Sequence, residues 1–335
     1  MMSLPEINNC PGTLAEGFDT YSPLALRRVF SGKKVSHILP YASPDKQGKD
    51  MEQFIENRKR ISISGVQEKM SLLLEKNKLR LTLEGEQGTY ILKPIPRDIK
   101  HVDQVPANEH LTMQIARQVY GIATAENALI FFDDGVPAYI TLRFDIRPKG
   151  GKYRKEDFAS LAGKSKDTDG VDFKYHYNYE QLAGLIREFV PSWRVEMEKF
   201  FKLVVFNYLF SNGDAHLKNF ALLETASGDF VLSPAYDLLN TRLHVDDPHF
   251  ALDGGLFADG FQSWKWKRKG GAPSELDFIE FAKRIGIQEN RIELLLAPFL
   301  ERQQLVEELV SRSYLNPEQK RGYVLYYNRK RNLLK

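Results

Sequence analysis

The chain has 335 residues, 42% of them hydrophobic and 27% charged, with a formal net charge of +3. That length suits one large core or two lobes of ordinary domain size, and the composition excludes a disordered chain. No run approaches the ~20 apolar residues of a bilayer span, and Met1-Met2-Ser3-Leu4-Pro5-Glu6 lacks a basic segment followed by an apolar one, so a cytoplasmic protein with no membrane contact is expected.

The single cysteine, Cys10, forms no internal disulfide and has no zinc-ligand spacing around it, so it reads as an inert surface thiol. The mildly basic balance is not a nucleic-acid signature, and no direct nucleic-acid binding is expected. Two basic clusters stand out: Lys265-Trp266-Lys267-Arg268-Lys269 after Trp264, and Arg329-Lys330-Arg331 after Tyr326-Tyr327. Lys and Arg interleaved with aromatics can stack on bases, but a solvated loop and a frayed terminal helix are the plainer expectations.

From Ile61 to about Thr141 the chain reads as short β-branched strands broken by turns: Met70–Leu74, Lys78–Leu83, Thr89–Lys93 and Ala128–Phe132, with a hairpin turn at Glu75–Asn77. Leu111, Ile115 and Val119 recur every four residues between Pro106 and Gly121, which predicts a helix over Ala107–Tyr120. Thr141–Lys149 reads as a connector, and the Gly/Lys/Asp-rich Gly150–Gly170 as a mobile surface loop. Beyond residue 180 the period is helical over Tyr179–Phe189, Val195–Phe210, Leu276–Ile285 and Ile292–Val310. The second of these is apolar around most of its surface, as a central buried helix would be. The expected fold class is therefore α+β and kinase-like in element order, with a β-rich lobe over 1–140, a connector over 141–149 and a helical lobe over 150–335.

The strongest chemical signal follows the apolar helix: Ser211-Asn212-Gly213-Asp214-Ala215-His216-Leu217-Lys218-Asn219. Its Asp-to-Asn offset matches a phosphoryl-transfer loop in which Asp214 accepts a hydroxyl proton and Asn219 binds magnesium. Gly213 would permit a tight backbone turn there. A helix end closed by Asn-Gly would explain residues 212–214 but not Asn219. Phe230–Leu232 then leads through Ser233-Pro234-Ala235-Tyr236 to Asp237 at a turn. Magnesium prefers carboxylate and amide oxygens, so Asn219 and Asp237 are the candidate metal ligands; alone, an Asp at such a place is usually a turn residue.

Upstream, Tyr90-Ile91-Leu92-Lys93 is a strand ending in a lysine of the kind that contacts nucleotide phosphates, and Glu109 is its candidate ion-pair partner. Strand lysines and glutamates in a first helical turn also occur for structural reasons alone. Ser62-Ile63-Ser64-Gly65-Val66-Gln67-Glu68-Lys69 places a glycine and two hydroxyls at a strand junction. Amides beside the glycine can cradle phosphate oxygens, although the loop fits neither the Walker pattern nor the three-glycine kinase loop.

Ser-x-Ser-Gly-x-Gln-x-Lys, Ile-Leu-Lys-Pro, Asn108-Glu109, Arg143-Phe144-Asp145, Asn-Gly-Asp-x-His-x-Lys-Asn and Ser-Pro-x-Tyr-Asp occur in this order. The combination resembles the HipA-like serine/threonine kinases, toxins of bacterial toxin–antitoxin loci, over roughly residues 55–310. Only residues 1–60 precede the phosphate loop, and in this the chain looks like HipT, the short kinase of HipBST systems, in which a separate small protein supplies the missing N-terminal portion. The resemblance implies ATP and Mg2+ as cofactors. It makes Asp214 the catalytic acceptor, Lys93 the ATP lysine, Ser64, Gly65, Val66, Gln67, Glu68 and Lys69 the phosphate cover, and Leu142-Arg143-Phe144 the adenine-binding connector. His216 and Lys218 are assigned to ATP contact or loop support.

Ser62, with Ser64 as a second acceptor, falls where the family autophosphorylates. A phosphate there, at roughly −1.5 to −2 charges, would be repelled by the phosphates of ATP. The implied partners are an aminoacyl-tRNA synthetase as substrate, the tryptophanyl enzyme for the HipT type, together with the small N-terminal-like protein and a DNA-binding HipB-like antitoxin. Two other readings stand beside this one. Asn-Gly-Asp-x-His-x-x-Asn also resembles small-molecule phosphotransferases of the aminoglycoside-kinase kind, and a catalytically silent pseudokinase would serve as a binding module.

Overall fold

The computed structural model describes residues 6–44, 68–96 and 99–335. Within them, in chain order, lie helix α1 (Pro23–Phe30), strands β1 (Met70–Glu75), β2 (Lys78–Leu81) and β3 (Tyr90–Lys93), helix α2 (Val105–Gln118), and strands β4 (Asn127–Phe131), β5 (Pro137–Leu142) and β6 (Lys155–Asp157). Helices α3 (Phe158–Leu161), α4 (Lys166–Asp169), α5 (Tyr179–Phe189) and α6 (Trp193–Leu209) follow, then strands β7 (Ala221–Glu224) and β8 (Phe230–Leu232). Five helices complete the chain: α7 (Trp264–Arg268), α8 (Glu275–Arg284), α9 (Glu289–Leu300), α10 (Gln304–Arg312) and α11 (Pro317–Leu334).

The chain divides into two compact units. One comprises residues 1–115, 125–144 and 306–320, and the other residues 116–124, 145–305 and 321–335. The chain passes between the units after Phe144, and the end of α2 belongs with the second unit while residues 306–320 belong with the first.

The first unit is built on an antiparallel sheet in the order β2-β1-β3-β5-β4. The β1–β2 turn holds Lys76 at φ 44° and Asn77 at φ 68°, the left-handed pair that a tight hairpin requires. β5 was not among the expected strands. Gly135 and Pro137 are residue types that favour turns, yet proline opens this strand, a position where its missing N–H is tolerated, and β5 lies between β3 and β4. Helix α1, also unforeseen, is capped by Ser22, whose hydroxyl accepts from the Ala25 N–H. It brings Ala25, Val29 and Phe30 into a core with Leu72, Leu92, Ile130 and Ile140. Cys10 is fully buried in that core rather than a surface thiol, and its sulfur accepts from the Ser22 N–H at 3.1 Å.

The second unit is organised around α6, which buries Met197, Phe200, Phe201, Val204, Val205, Phe206 and Leu209. Aromatic packing surrounds it: Phe200 meets Phe220 edge-on and Phe201 stacks on Phe281. Strands β6, β7 and β8 form a small antiparallel sheet. The buried carboxylate of Glu196 on α6 accepts from the Leu232 N–H at 3.1 Å and so ties β8 to the helix.

Four further segments differ from expectation. The supposed mobile loop Gly150–Gly170 contains β6, paired with β7, and α3, whose Phe158 is fully buried and whose N-terminus is capped by Asp157. The helix expected over Ile292–Val310 is two helices: Pro298 lies in the last turn of α9, and Glu301 leaves helical backbone at ψ 152°. The C-terminal basic run lies on an ordered helix, with Tyr323, Tyr327 and Leu334 fully buried and Tyr327 stacked on Phe210. Trp264–Arg268 is helical too, capped by the Ser263 hydroxyl.

Candidate active site

The apolar face of α6 carries the chain into the loop at residues 211–219. After the helix ends, Ser211 takes a left-handed backbone at φ 54°. Thr241 then clamps the turn: its hydroxyl donates to the Ser211 carbonyl at 2.8 Å and accepts from the Gly213 N–H at 2.9 Å. The Asn212 amide donates to Asn207 Oδ1 at 3.0 Å and to the Asp237 carbonyl at 3.3 Å, joining this loop to the one that follows β8. Gly213 is needed for space rather than for an unusual φ. A Cβ there would lie 2.3 Å from Cβ of Asp247, closer than any side chain tolerates.

The loop presents Asp214 with its side chain 54% exposed. Tyr175 Oη donates to Asp214 Oδ1 at 2.7 Å, and His216 Nε2 lies 3.9 Å from the same oxygen. Burial pulls the His216 imidazole down to about 4 against the opposing charge of Asp214, so near neutrality it is uncharged and is not a cation beside the carboxylate. Asn219 closes the loop: its Oδ1 accepts from the His216 N–H at 3.2 Å, and its Nδ2 donates to Asp237 Oδ2 at 3.3 Å. Asp237 sits at φ 56°, a left-handed conformation that Asp tolerates better than most residues. Lys218 contributes its carbonyl to Tyr236 Oη at 2.8 Å, while its ammonium lies over the Phe173 ring. Asp214, His216, Asn219 and Asp237 therefore come together, two short loops converging through an amide–carboxylate contact.

In the first unit, Lys93 and Glu109 form an ion pair at 2.6 Å with side chains only 5% and 4% exposed. Strand β3 supplies the lysine and the first turns of α2 the glutamate. Lys93 also lies over the ring of Tyr139, its register partner on β5. The Leu142 and Arg143 amides donate to the carbonyls of Glu126 at 2.8 Å and Thr89 at 2.9 Å. They are thus engaged inside the unit, and a purine would have to use other backbone groups of this stretch. Glu68 and Lys69 precede β1 and are half-buried. Ser62, Ser64, Gly65, Val66 and Gln67 lie outside the described residues.

Reading the sequence missed Tyr175, Thr241 and Asp247. Each touches the loop from 28 or more residues away, and no local pattern marks them. Among the described residues no three His, Cys, Asp or Glu side chains converge as a metal site. Asn219 and Asp237 supply two hard oxygen donors at most, which fits an ion completed by phosphate oxygens and water and does not fit an all-protein cage.

The fold is that of known kinases of the HipA kind. The chain superposes on HipA in the complex of Shewanella oneidensis HipA, HipB and operator DNA with a TM-score of 0.62 at 20% identity, covering 87% of this chain and 72% of that one. It matches the Helicobacter pylori proinflammatory kinase CtkA with a TM-score of 0.50 at 15% identity, over 78% of this chain and 93% of that one. The family itself follows from sequence: the HipA-like C-terminal domain matches residues 61–307, and the chain belongs to that family. A Haemophilus influenzae relative described as "Putative kinase" is 27% identical over 94% of this chain and 92% of its own length. The Shewanella oneidensis serine/threonine-protein kinase toxin HipA is 24% identical over 57% of this chain and 46% of its own length, so the chain spans about half of that relative.

Proposed function

We propose that the chain is an ATP-dependent serine/threonine protein kinase and the toxin of a toxin–antitoxin pair. The observation that carries the reading is the Asn219–Asp237 contact at 3.3 Å on the loop that bears an exposed Asp214. An amide and a carboxylate side by side suit one magnesium ion, which when bound would neutralise charge on the nucleotide phosphates. Asp214 accepts the proton of a substrate serine hydroxyl. The serine oxygen bonds to the γ-phosphorus while the bond from that phosphorus to its β-bridging oxygen breaks, and ADP leaves with the electron pair. Tyr175 orients the Asp214 carboxylate. Neutral His216 supports the loop and is given no proton-transfer role.

Lys93, held by Glu109, serves the α- and β-phosphates in this reading, and Ser64 to Lys69 cover them. Membership of the HipA-like family and the toxin named among the relatives support the toxin role and an antitoxin of the HipB kind. The HipT likeness, with its small N-terminal partner, its tryptophanyl-tRNA synthetase target and autophosphorylation at Ser62 or Ser64, rests on motif resemblance. The test is phosphoproteomics after brief expression of the chain and of Asp214→Asn. One new phosphosite on one aminoacyl-tRNA synthetase, absent with the variant, is expected; phosphorylation only of a small alcohol such as an aminoglycoside would overturn the protein-kinase reading.

A further inference from the structure

A second polar feature begins at Ser211, the first residue of the same loop. Ser211 and Asp247 line a cavity of about 140 Å³ whose other polar walls are basic: Arg242, Lys269, Arg329 and Lys330, with His249 among them. That volume is close to the ~150 Å³ of cavities known to hold a small ring compound. Lys330 is 8% exposed, and a buried ammonium is costly unless compensated. Its contacts are to His249 Nδ1 at 2.7 Å and the face of Tyr208, neither of them an anion. Burial, with Arg242 and Arg329 nearby, pulls Lys330 down to about 7. Arg242 reaches Asp246 at 2.6 Å, and Lys269 donates to the carbonyls of Asn332 and Leu333.

Two acceptors in the wall are also unsatisfied. Ser211 Oγ and Asp247 Oδ2 are both buried and make no hydrogen bond. Burial, and the charges of Asp214 and Asp246, raise the Asp247 carboxyl, while Thr241 and Arg242 oppose the rise. Two arginines, two lysines and a free hydroxyl against one carboxylate, Asp247, are the complement of a small, multiply charged oxyanion.

We propose that this cavity binds a tetrahedral dianion, inorganic phosphate or a phosphate monoester, and that occupancy is felt by the loop bearing Asp214. Ser211 opens that loop, and Asp247 sits where Gly213 has no Cβ. An anion that accepts from the Ser211 hydroxyl stiffens the loop at its first residue.

The experiment titrates the full chain, without ATP, with inorganic phosphate, O-phosphoserine and, at matched ionic strength, potassium chloride, by calorimetry. Saturable binding of the phosphate compounds alone is expected. Lys269→Met, at the half-exposed wall, should weaken it about tenfold, the ~1.4 kcal/mol of one charge-assisted contact, and Lys330→Met should weaken it at least as much. Asp237→Asn should leave it unchanged, which separates this cavity from the nucleotide site. Amide exchange at residues 211–215 should slow when phosphate is bound. Tighter binding of O-phosphoserine identifies a monoester as the ligand, and tighter binding of phosphate identifies the free ion. No saturable binding, equal binding by wild type and both lysine variants, or loss of binding in Asp237→Asn would overturn the proposal.

Discussion

Replacing Lys93 by methionine removes one half of an ion pair almost wholly withdrawn from water. At 2.6 Å and an effective dielectric near 20, two unit charges attract by about 6 kcal/mol. Most of this offsets the desolvation of the two groups, so the pair as a whole contributes little net stability. Deleting one partner is different: the Glu109 carboxylate keeps its desolvation cost and loses the ammonium, and such changes destabilise by about 3–5 kcal/mol. Methionine fills the space of the lysine stem, so no cavity of consequence adds to the loss. In urea, where slopes are about 1–3 kcal/mol per molar, the unfolding midpoint of Lys93→Met should fall by about 1 M or more. Lys93→Met combined with Glu109→Gln should recover most of the loss, since no charge is then stranded. The cycle therefore isolates the coupling. Single variants as stable as wild type, or a double variant showing the sum of two large losses, would refute the reasoning.

Gly213→Ala should cost about 1–3 kcal/mol, because the added methyl meets Asp247 at 2.3 Å and packed structure yields little; a melting curve measures the loss, and phosphotransfer should fall with it as Asp214 shifts. Tyr175→Phe removes the 2.7 Å bond to Asp214 and should lower kcat by about fivefold to tenfold, the equivalent of about 1–1.5 kcal/mol, with KM for ATP unchanged. Burial pulls both His110 and His216 down to about 4 from an ordinary value of 6.5. Each takes up a proton more readily unfolded than folded, so the stability each contributes is complete above pH 6.5 and is lost as pH falls towards 4. Between pH 7 and pH 5 the loss is about 2 kcal/mol per histidine, to be read as a falling urea midpoint. A flat midpoint across that interval would contradict the burial argument.

Much of the helical half was legible in sequence because apolar periodicity is local. Tyr179–Phe189 reads directly as α5, and Phe200, Phe201, Val204 and Val205 mark a helix with apolar residues on every side. The Asp214 loop was legible for the same reason: its spacing lies within nine residues. Strand β5 was hidden because Pro137 and Gly135 carry the chemistry of a turn, and only the neighbouring strands show that the proline opens a strand. Gly150–Gly170 looked featureless because β6 is three residues long and is stabilised by pairing with β7. The basic C-terminal run looked solvent-facing, since nothing in Arg329-Lys330-Arg331 shows that the middle residue turns inward over Tyr208. Tyr175 and Asp247 reach the site through tertiary contacts alone, and no spacing rule reports those.

Phosphoryl transfer from ATP by Asp214, Asn219 and Asp237 is the proposal on which the rest depends. It is tested most directly by incubating the purified chain with γ-labelled ATP and magnesium, alone and with tryptophanyl-tRNA synthetase, beside Asp214→Asn and Asp237→Asn variants that retain the wild-type melting temperature. Label on protein serine is expected with wild type, and a loss of about 10²–10⁴ in rate for Asp214→Asn. Wild-type and Asp214→Asn chains that label protein at the same rate would contradict it.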